Sequence, residues 1–278
     1  MFKNILLAVD GSAYTDPVLT HGIELAQYFA SRLMVLTVAD VRIFEWAAAV
    51  GSDGFISIAP SGSYQEASRS LLEEKCDKIL AKCRERLAGS GLDFTVEKGI
   101  GAPADLILEQ AQVADLLVMG KRGEFARWDL KGLGATVDVV SRIVHKPLLV
   151  TGLEFKSIRK ILVGYDSSDH AHRALQYAAH IAEAARGSIS ILSVSDDAGL
   201  AEHHCTQAAT YLKSYRVAAE SSSRPGHPDE ELVRHSTRQA CDLIAIGAYG
   251  HSRIREALLG STTAHIIRQS TLPVLLAK

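Results

Sequence analysis

The chain has 278 residues, 47% apolar and 22% charged, with a formal net charge of −2. That length exceeds one domain of about 100–150 residues, and the near-neutral balance argues against nucleic acid as the main partner. No apolar run approaches the roughly 20 residues a bilayer-crossing helix needs, so no membrane span is expected. Four cysteines, Cys76, Cys83, Cys205 and Cys241, show no CxxC spacing and read as reduced thiols of a cytoplasmic protein.

In chain order, Met1-Phe-Lys-Asn-Ile-Leu-Leu-Ala-Val-Asp10 has one early lysine and an apolar run of five residues. That run is too short for the hydrophobic region of a secretory leader and is expected to form a first strand. The stretch 41–63 contains Ile43, Phe44, Trp46, Phe55 and Ile58, with Gly/Ser/Asp punctuation and no clear period. It is open to four readings: a lid, a lipid-like ligand site, a partner surface, or a cover for the first half's own sheet. A helix is expected over 65–88, with Cys76 and Cys83 two turns apart on one packing face.

In the second half, 160–165 reads as a strand, and 169–185 carries Ala171, Leu175, Ala178, Ala179, Ile181 and Ala182 at helical spacing. Residues 188–194 alternate toward a strand; 198–213 is expected as a helix, 215–220 as a strand and 228–239 as a helix. Residues 242–247 read as a strand, 260–270 as a helix and 273–277 as the last strand. His203-His204-Cys205 is expected to be a surface cluster at a helix start: neighbouring residues on a helix cannot all face one ion, and no fourth ligand is evident.

The chain repeats itself. Residues 2–40 and 158–196 align without a gap at an offset of 156, which places Asp10 on Asp166, Ser12 on Ser168 and Val38 on Val194. Farther on, Ala114-Asp-Leu-Leu-Val-Met-Gly120 matches Cys241-Asp-Leu-Ile-Ala-Ile-Gly247, and Pro147-Leu-Leu-Val matches Pro273-Val-Leu-Leu. The offset there is 127 for the first match and 126 for the second, most of the loss being the 41–63 insertion. Two domains are expected, 1–153 and 157–278. Each reads β-α-β-α-β-α-β-α-β, an α/β fold with a five-stranded, mainly parallel, Rossmann-like sheet and helices on both faces. In such sheets ligands sit beyond the carboxyl ends of the strands, at the switch point.

Three features converge there. The first strand of the second copy stops at Asp166-Ser167-Ser168, with no G-x-G-x-x-G turn, which speaks against a dinucleotide site. Asp166 there either hydrogen-bonds a ribose or adenine edge or, with Ser168, only shapes the turn and caps the next helix. Val194, at the end of the second strand, either presents backbone groups and an apolar surface to a base or is simply a core valine. Gly247, Gly250 and Gly260-Ser261-Thr262 then form a strand–loop–helix phosphate cradle, where free N–H groups and the helix dipole face an anion. A Gly-Lys-Ser/Thr is lacking, so the loop is not of the Walker type.

With these residues in place, the chain resembles a tandem universal stress protein over essentially its whole length. The family's signature, G-x2-G-x9-G-[ST], is met by Gly247, Gly250, Gly260 and Ser261. The resemblance implies a HUP-type fold that binds ATP (or ADP or AMP), with Mg2+ as an accompanying ion. It implies that Asp166 and Val194 hold the adenosine, that Gly247 lies near the ribose, and that Gly250, Gly260, Ser261 and Thr262 hold the phosphates. It also implies an intrachain pseudo-dimer, 147–152 against 273–277, with a homodimer of tandems as a further assembly and protein partners unnamed.

The first copy departs from the signature. Gly120 and Gly123 are present, but ten residues instead of nine precede Gly134, and Ala135 stands where Ser261 stands. Thr136, Asp10 and Val38 survive. The extra residue is expected to shift the cradle, and a lost hydroxyl donor costs about 0.5–1.5 kcal/mol. A weaker or absent second nucleotide site is therefore expected. Phe125 and Trp128 occupy the loop as bulky residues, and Lys121, Arg122, Arg127 and Lys131 either compensate with positive charge or form a solvated loop. With no Walker lysine and no placed arginine finger, the expected role is a stress-response regulator with at most slow hydrolysis. His251, Arg253 and Arg255 are the local candidates for the alternative, nucleotidyl transfer; a ligand-free interaction scaffold is the third reading.

Overall fold

The computed structural model describes residues 1–41, 62–124, 133–248 and 260–278. The first half runs β1 (Asn4–Ala8), α1 (Thr15–Phe29), β2 (Arg32–Ala39), α2 (Gly62–Ala88), β3 (Phe94–Ile100), α3 (Pro103–Ala111), β4 (Leu116–Gly120), α4 (Ala135–Ile143) and β5 (Leu148–Thr151). The second half runs β6 (Lys160–Gly164), α5 (Asp169–Ala185), β7 (Ser188–Val194), α6 (Ala198–Leu212), β8 (Ala218–Arg224), α7 (Pro228–Arg238), β9 (Leu243–Gly247), α8 (Ser261–Gln269) and β10 (Val274–Ala277).

All ten strands join one sheet, in the order β3-β2-β1-β4-β5-β10-β9-β6-β7-β8. Every pairing within a half is parallel. The halves meet antiparallel at β5 and β10, in the register Val274↔Val150, Leu275↔Leu149, Leu276↔Leu148. This join is the contact between 147–152 and 273–277 that the family resemblance implies.

Strand alternation sorts the core into two layers. Ile5, Leu7, Leu149 and Leu275 face the side covered by α1, α2, α5 and α6. Leu6, Leu148, Val150, Val274 and Leu276 face α3, α4, α7 and α8. Each layer runs without a break from one half into the other. The linker is fixed by a buried carboxylate: Glu24, 9% exposed, accepts hydrogen bonds from Tyr28 Oη, Ser157 Oγ and the Ile158 amide. Phe2 stacks on Tyr177 across the halves with ring centroids 5.8 Å apart.

Two expectations need correction. The strand expected at 215–220 is β8, Ala218–Arg224, three residues later. Tyr215 still turns off the end of α6, its amide donating to Leu212 O, and β8 is a polar sheet-edge strand with no apolar period to mark its start. The His203-His204-Cys205 cluster lies inside α6, not at its start, and only His203 is exposed. His204 and Cys205 are 8% and 6% exposed. The His204 ring pairs with Ser193 Oγ at 3.2 Å, and the Cys205 thiol donates to Ser222 O. Among the described residues, no group of three His, Cys, Asp or Glu side chains could hold a metal ion. Cys76 and Cys83 are buried on the packing face of α2.

Candidate functional site

In each half the chain order reverses between the first and fourth strands, β1/β4 and β6/β9, which is where a parallel sheet of this kind leaves room for a ligand at the carboxyl ends. In the first half that room is a cavity of about 640 Å³, within the range of small-molecule sites. All six residues expected for the weaker site line it: Asp10, Val38, Gly120, Gly123, Gly134 and Thr136.

The glycines are required by close approach. A Cβ on Gly120 would lie 2.4 Å from Tyr14 Cβ, and one on Gly123 would lie 2.7 Å from Asp10 Oδ2. One on Gly134 would stand 3.1 Å from Arg122 Cα and 3.4 Å from the Gly123 amide nitrogen. The extra residue of this loop therefore does not separate Gly134 from the first two glycines; the segment 125–132, with Phe125, Arg127, Trp128 and Lys131, lies outside the described residues. Asp10 accepts from the Ser12 amide at 3.0 Å and from the Glu124 amide at 2.7 Å, so the loop after β4 closes onto the end of β1. Burial raises the Tyr14 phenol above its ordinary value, against an opposing effect of Arg122.

In the second half, Asp166 Oδ1 accepts from the Ser168 amide at 3.0 Å and from Ser168 Oγ at 2.6 Å. Ser168 caps α5 by accepting from the Ala171 amide. The turn-and-cap role weighed for these residues is thus present. A Cβ on Gly247 would come within 2.8 Å of the Ala171 amide nitrogen and of His170 Cβ, so β9 ends hard against the start of α5. Gly260 caps α8, which places Ser261 and Thr262 in its first turn. Val194 closes β7 at the same end of the sheet. Gly250, His251, Arg253 and Arg255 lie outside the described residues, as does most of the 41–63 insertion. A shallow groove between α7 and α8 contains none of the expected site residues.

Some site residues escape the signature. Thr263 Oγ1 donates to Ala248 O at 3.2 Å, which ties α8 to the end of β9. Leu72, Lys75, Cys76 and Ile79 wall the first cavity from α2, a helix of 27 residues against 15 in its counterpart α6. Arg142 and Arg268 line the same cavity. The offset of 126 that aligns Gly134 with Gly260 also aligns Arg142 with Arg268, but that pairing alone does not place either at the cavity.

Two lysines cross the join. Lys121 Nζ donates to Arg268 O at 2.5 Å and to Ser270 O at 3.1 Å, and Lys278 Nζ donates to Arg142 O at 3.2 Å. Cations at helix carboxyl ends complement the helix dipole. Burial, with Arg122 beside it, brings Lys121 down to about 8, and burial alone brings Lys278 to about 8. A lysine depressed in the folded state binds fewer protons there than in the unfolded chain. The native state therefore gains as pH rises from about 8 toward 10.5. Lys121→Met lacks this gain. In urea titrations the stability of the parent chain relative to Lys121→Met is expected to rise across that window; a flat difference would place Lys121 in solvent.

The model of the Universal stress protein family matches residues 1–152 and again 157–278. Universal stress protein Slr1230 of Synechocystis is 30% identical over 98% of this chain and 99% of its own length. Universal stress protein YxiE of Bacillus subtilis is 28% identical over 43% of this chain. The crystal structure of a universal stress protein from Archaeoglobus fulgidus, 21% identical, covers 99% of this chain and 96% of that chain with a TM-score of 0.77, which supports the same fold. Two consecutive matches and a relative aligned from end to end make this chain a member of the universal stress protein family, with two family domains in tandem.

Proposed function

We propose that the chain is an adenine-nucleotide-binding regulator of a stress response. ATP, ADP or AMP binds chiefly in the second domain through Asp166, Val194, Gly247, Gly250, Gly260, Ser261 and Thr262, with Mg2+ accompanying the phosphates. The first domain, through Asp10, Val38, Gly120, Gly123, Gly134 and Thr136, is the weaker site. The observation that carries the reading is made in the first domain, where Asp10 after the first strand, Gly120 and Gly123, at which a Cβ would come within 2.7 Å of a neighbour, and the N-terminus of α4 line one cavity at the switch point; the second domain repeats that order with Asp166, Gly247 and α8. Domain boundaries at 1–153 and 157–278 fit the Glu24-pinned linker.

Nucleotide binding then acts through conformation or through a protein partner, with at most slow hydrolysis. Neither half contains a Walker lysine, and the sequence has no arginine finger in an identified place. No described helix is long and apolar enough to cross a membrane. All four cysteines are free and buried, which fits a reducing, cytoplasmic setting.

Incubation of the purified protein with ATP and Mg2+ separates the readings. The proposal expects a thermal shift that grows with ATP concentration, and unreacted ATP after many minutes. Pyrophosphate release would favour nucleotidyl transfer, rapid ADP formation would mark a true ATPase and equally overturn the regulator reading, and a melting temperature indifferent to ATP would favour a ligand-free scaffold.

A further inference from the structure

The first cavity is not built by the first domain alone. Its lining includes Arg268, which belongs to α8 of the second domain, and the antiparallel β5–β10 join is what brings it there. Resting on the nucleotide reading above, we propose that Arg268 grips the phosphate end of a nucleotide in the first cavity, so that this site is a composite of both repeats.

The repeat explains why Arg268 is available. Arg142, its counterpart, is held by Asp138 one helical turn earlier, with Nη2 at 2.7 and 2.9 Å from the two carboxylate oxygens. At the offset of 126 the position of Asp138 is taken by Ala264. Among the described residues Arg268 has no carboxylate within ion-pair distance. The cavity's Lys75 is likewise paired, with Glu124. A guanidinium with no intrahelical carboxylate partner, on a residue that lines this cavity, is suited to phosphate oxygens, which it can meet with a planar, two-pronged donor set.

The second domain also fixes where this arginine stands. Lys121, inside the Gly120–Gly123 loop that lines the cavity, donates to Arg268 O and Ser270 O. The loop on which the phosphates would rest and the helix end that carries Arg268 are thus held to each other. The missing serine hydroxyl at Ala135 is offset by this donor from the other repeat.

The test uses the full chain carrying Asp166→Asn, so that the second site is weakened and the first is read separately by calorimetric titration with ATP. Arg268 is solvent-exposed on α8, so truncating it should leave the fold intact. Arg268→Ala is expected to lower first-site affinity about three- to tenfold, the effect of one partly exposed charged contact, and Arg268→Lys to recover part of it. In the otherwise parental chain, Arg268→Ala should leave second-site affinity unchanged. The proposal is overturned if Arg268→Ala leaves the first site unaffected, or if it weakens both sites alike, which would mark a general disturbance of α8. If the Asp166→Asn chain takes up no nucleotide while the parental chain takes up one, the second-site reading stands and the composite site falls. If the parental chain takes up none, the nucleotide reading itself has failed.

Discussion

Asp166→Asn is expected to weaken nucleotide binding in the second domain about 10- to 100-fold. The carboxylate lies at the end of β6, where the chain order reverses, and its proposed work is to accept hydrogen bonds from the nucleoside. A hydrogen bond to a charged group contributes about 1.5–3 kcal/mol, and the amide both loses the charge and introduces a donor. Asparagine keeps the acceptor that the Ser168 amide uses, and it is at home in this kind of turn. Folding stability should therefore change by no more than about 0.5 kcal/mol. Calorimetric titration with ATP, alongside urea unfolding, checks both parts. An affinity loss with unchanged stability supports the assignment; unchanged affinity confines Asp166 to its turn. The equivalent Asp10→Asn also loses the carboxylate that accepts from the Glu124 amide, so its effect includes the closure of the loop over β1.

Leu275→Ala is expected to cost about 2–5 kcal/mol, the range for emptying a fully buried leucine site. Leu275 is 1% exposed and pairs in register with Leu149, itself 1% exposed, at the join between the halves. Both side chains enter the same continuous layer of core. Against a typical total stability of about 5–15 kcal/mol the loss is large, and it falls on the contact that makes one sheet out of two. Urea unfolding followed by circular dichroism measures it. A change below about 1 kcal/mol would mean that β5 and β10 do not pack as a core. The same join carries the cross-domain contacts of Lys121, Lys278 and Arg268, so a loosened join should also weaken the first site.

Much of the architecture is legible in the sequence where burial imposes a period. The alanines and leucine of 169–185 fall on one face because α5 packs against the sheet, and the helix has the expected bounds. The polar edge strand β8 escapes because nothing is buried on it to mark its start. The His203-His204-Cys205 cluster looks like a surface feature because its two histidines are polar, but the place of His204 and Cys205 on α6 turns them toward β7 and β8, where Ser193 Oγ and the Ser222 carbonyl pair with them. At the candidate site, the glycines and aspartates are readable because they answer to backbone geometry. The α2 wall and Arg268 are not, because they depend on which helices the strand order and the antiparallel join bring to the crevice. The pairing of Arg142 with Asp138, and its loss at Ala264, becomes meaningful only once both arginines stand at one cavity.

Native mass spectrometry of the full chain, first as purified from cells and then with added ATP, counts the nucleotides bound. One adenine nucleotide per chain is expected at low ATP, lost in Asp166→Asn, and a second that appears only at higher ATP and weakens in Arg268→Ala. A chain that carries no adenine nucleotide at any ATP concentration, with a melting temperature equally indifferent to ATP, would contradict the nucleotide-binding reading.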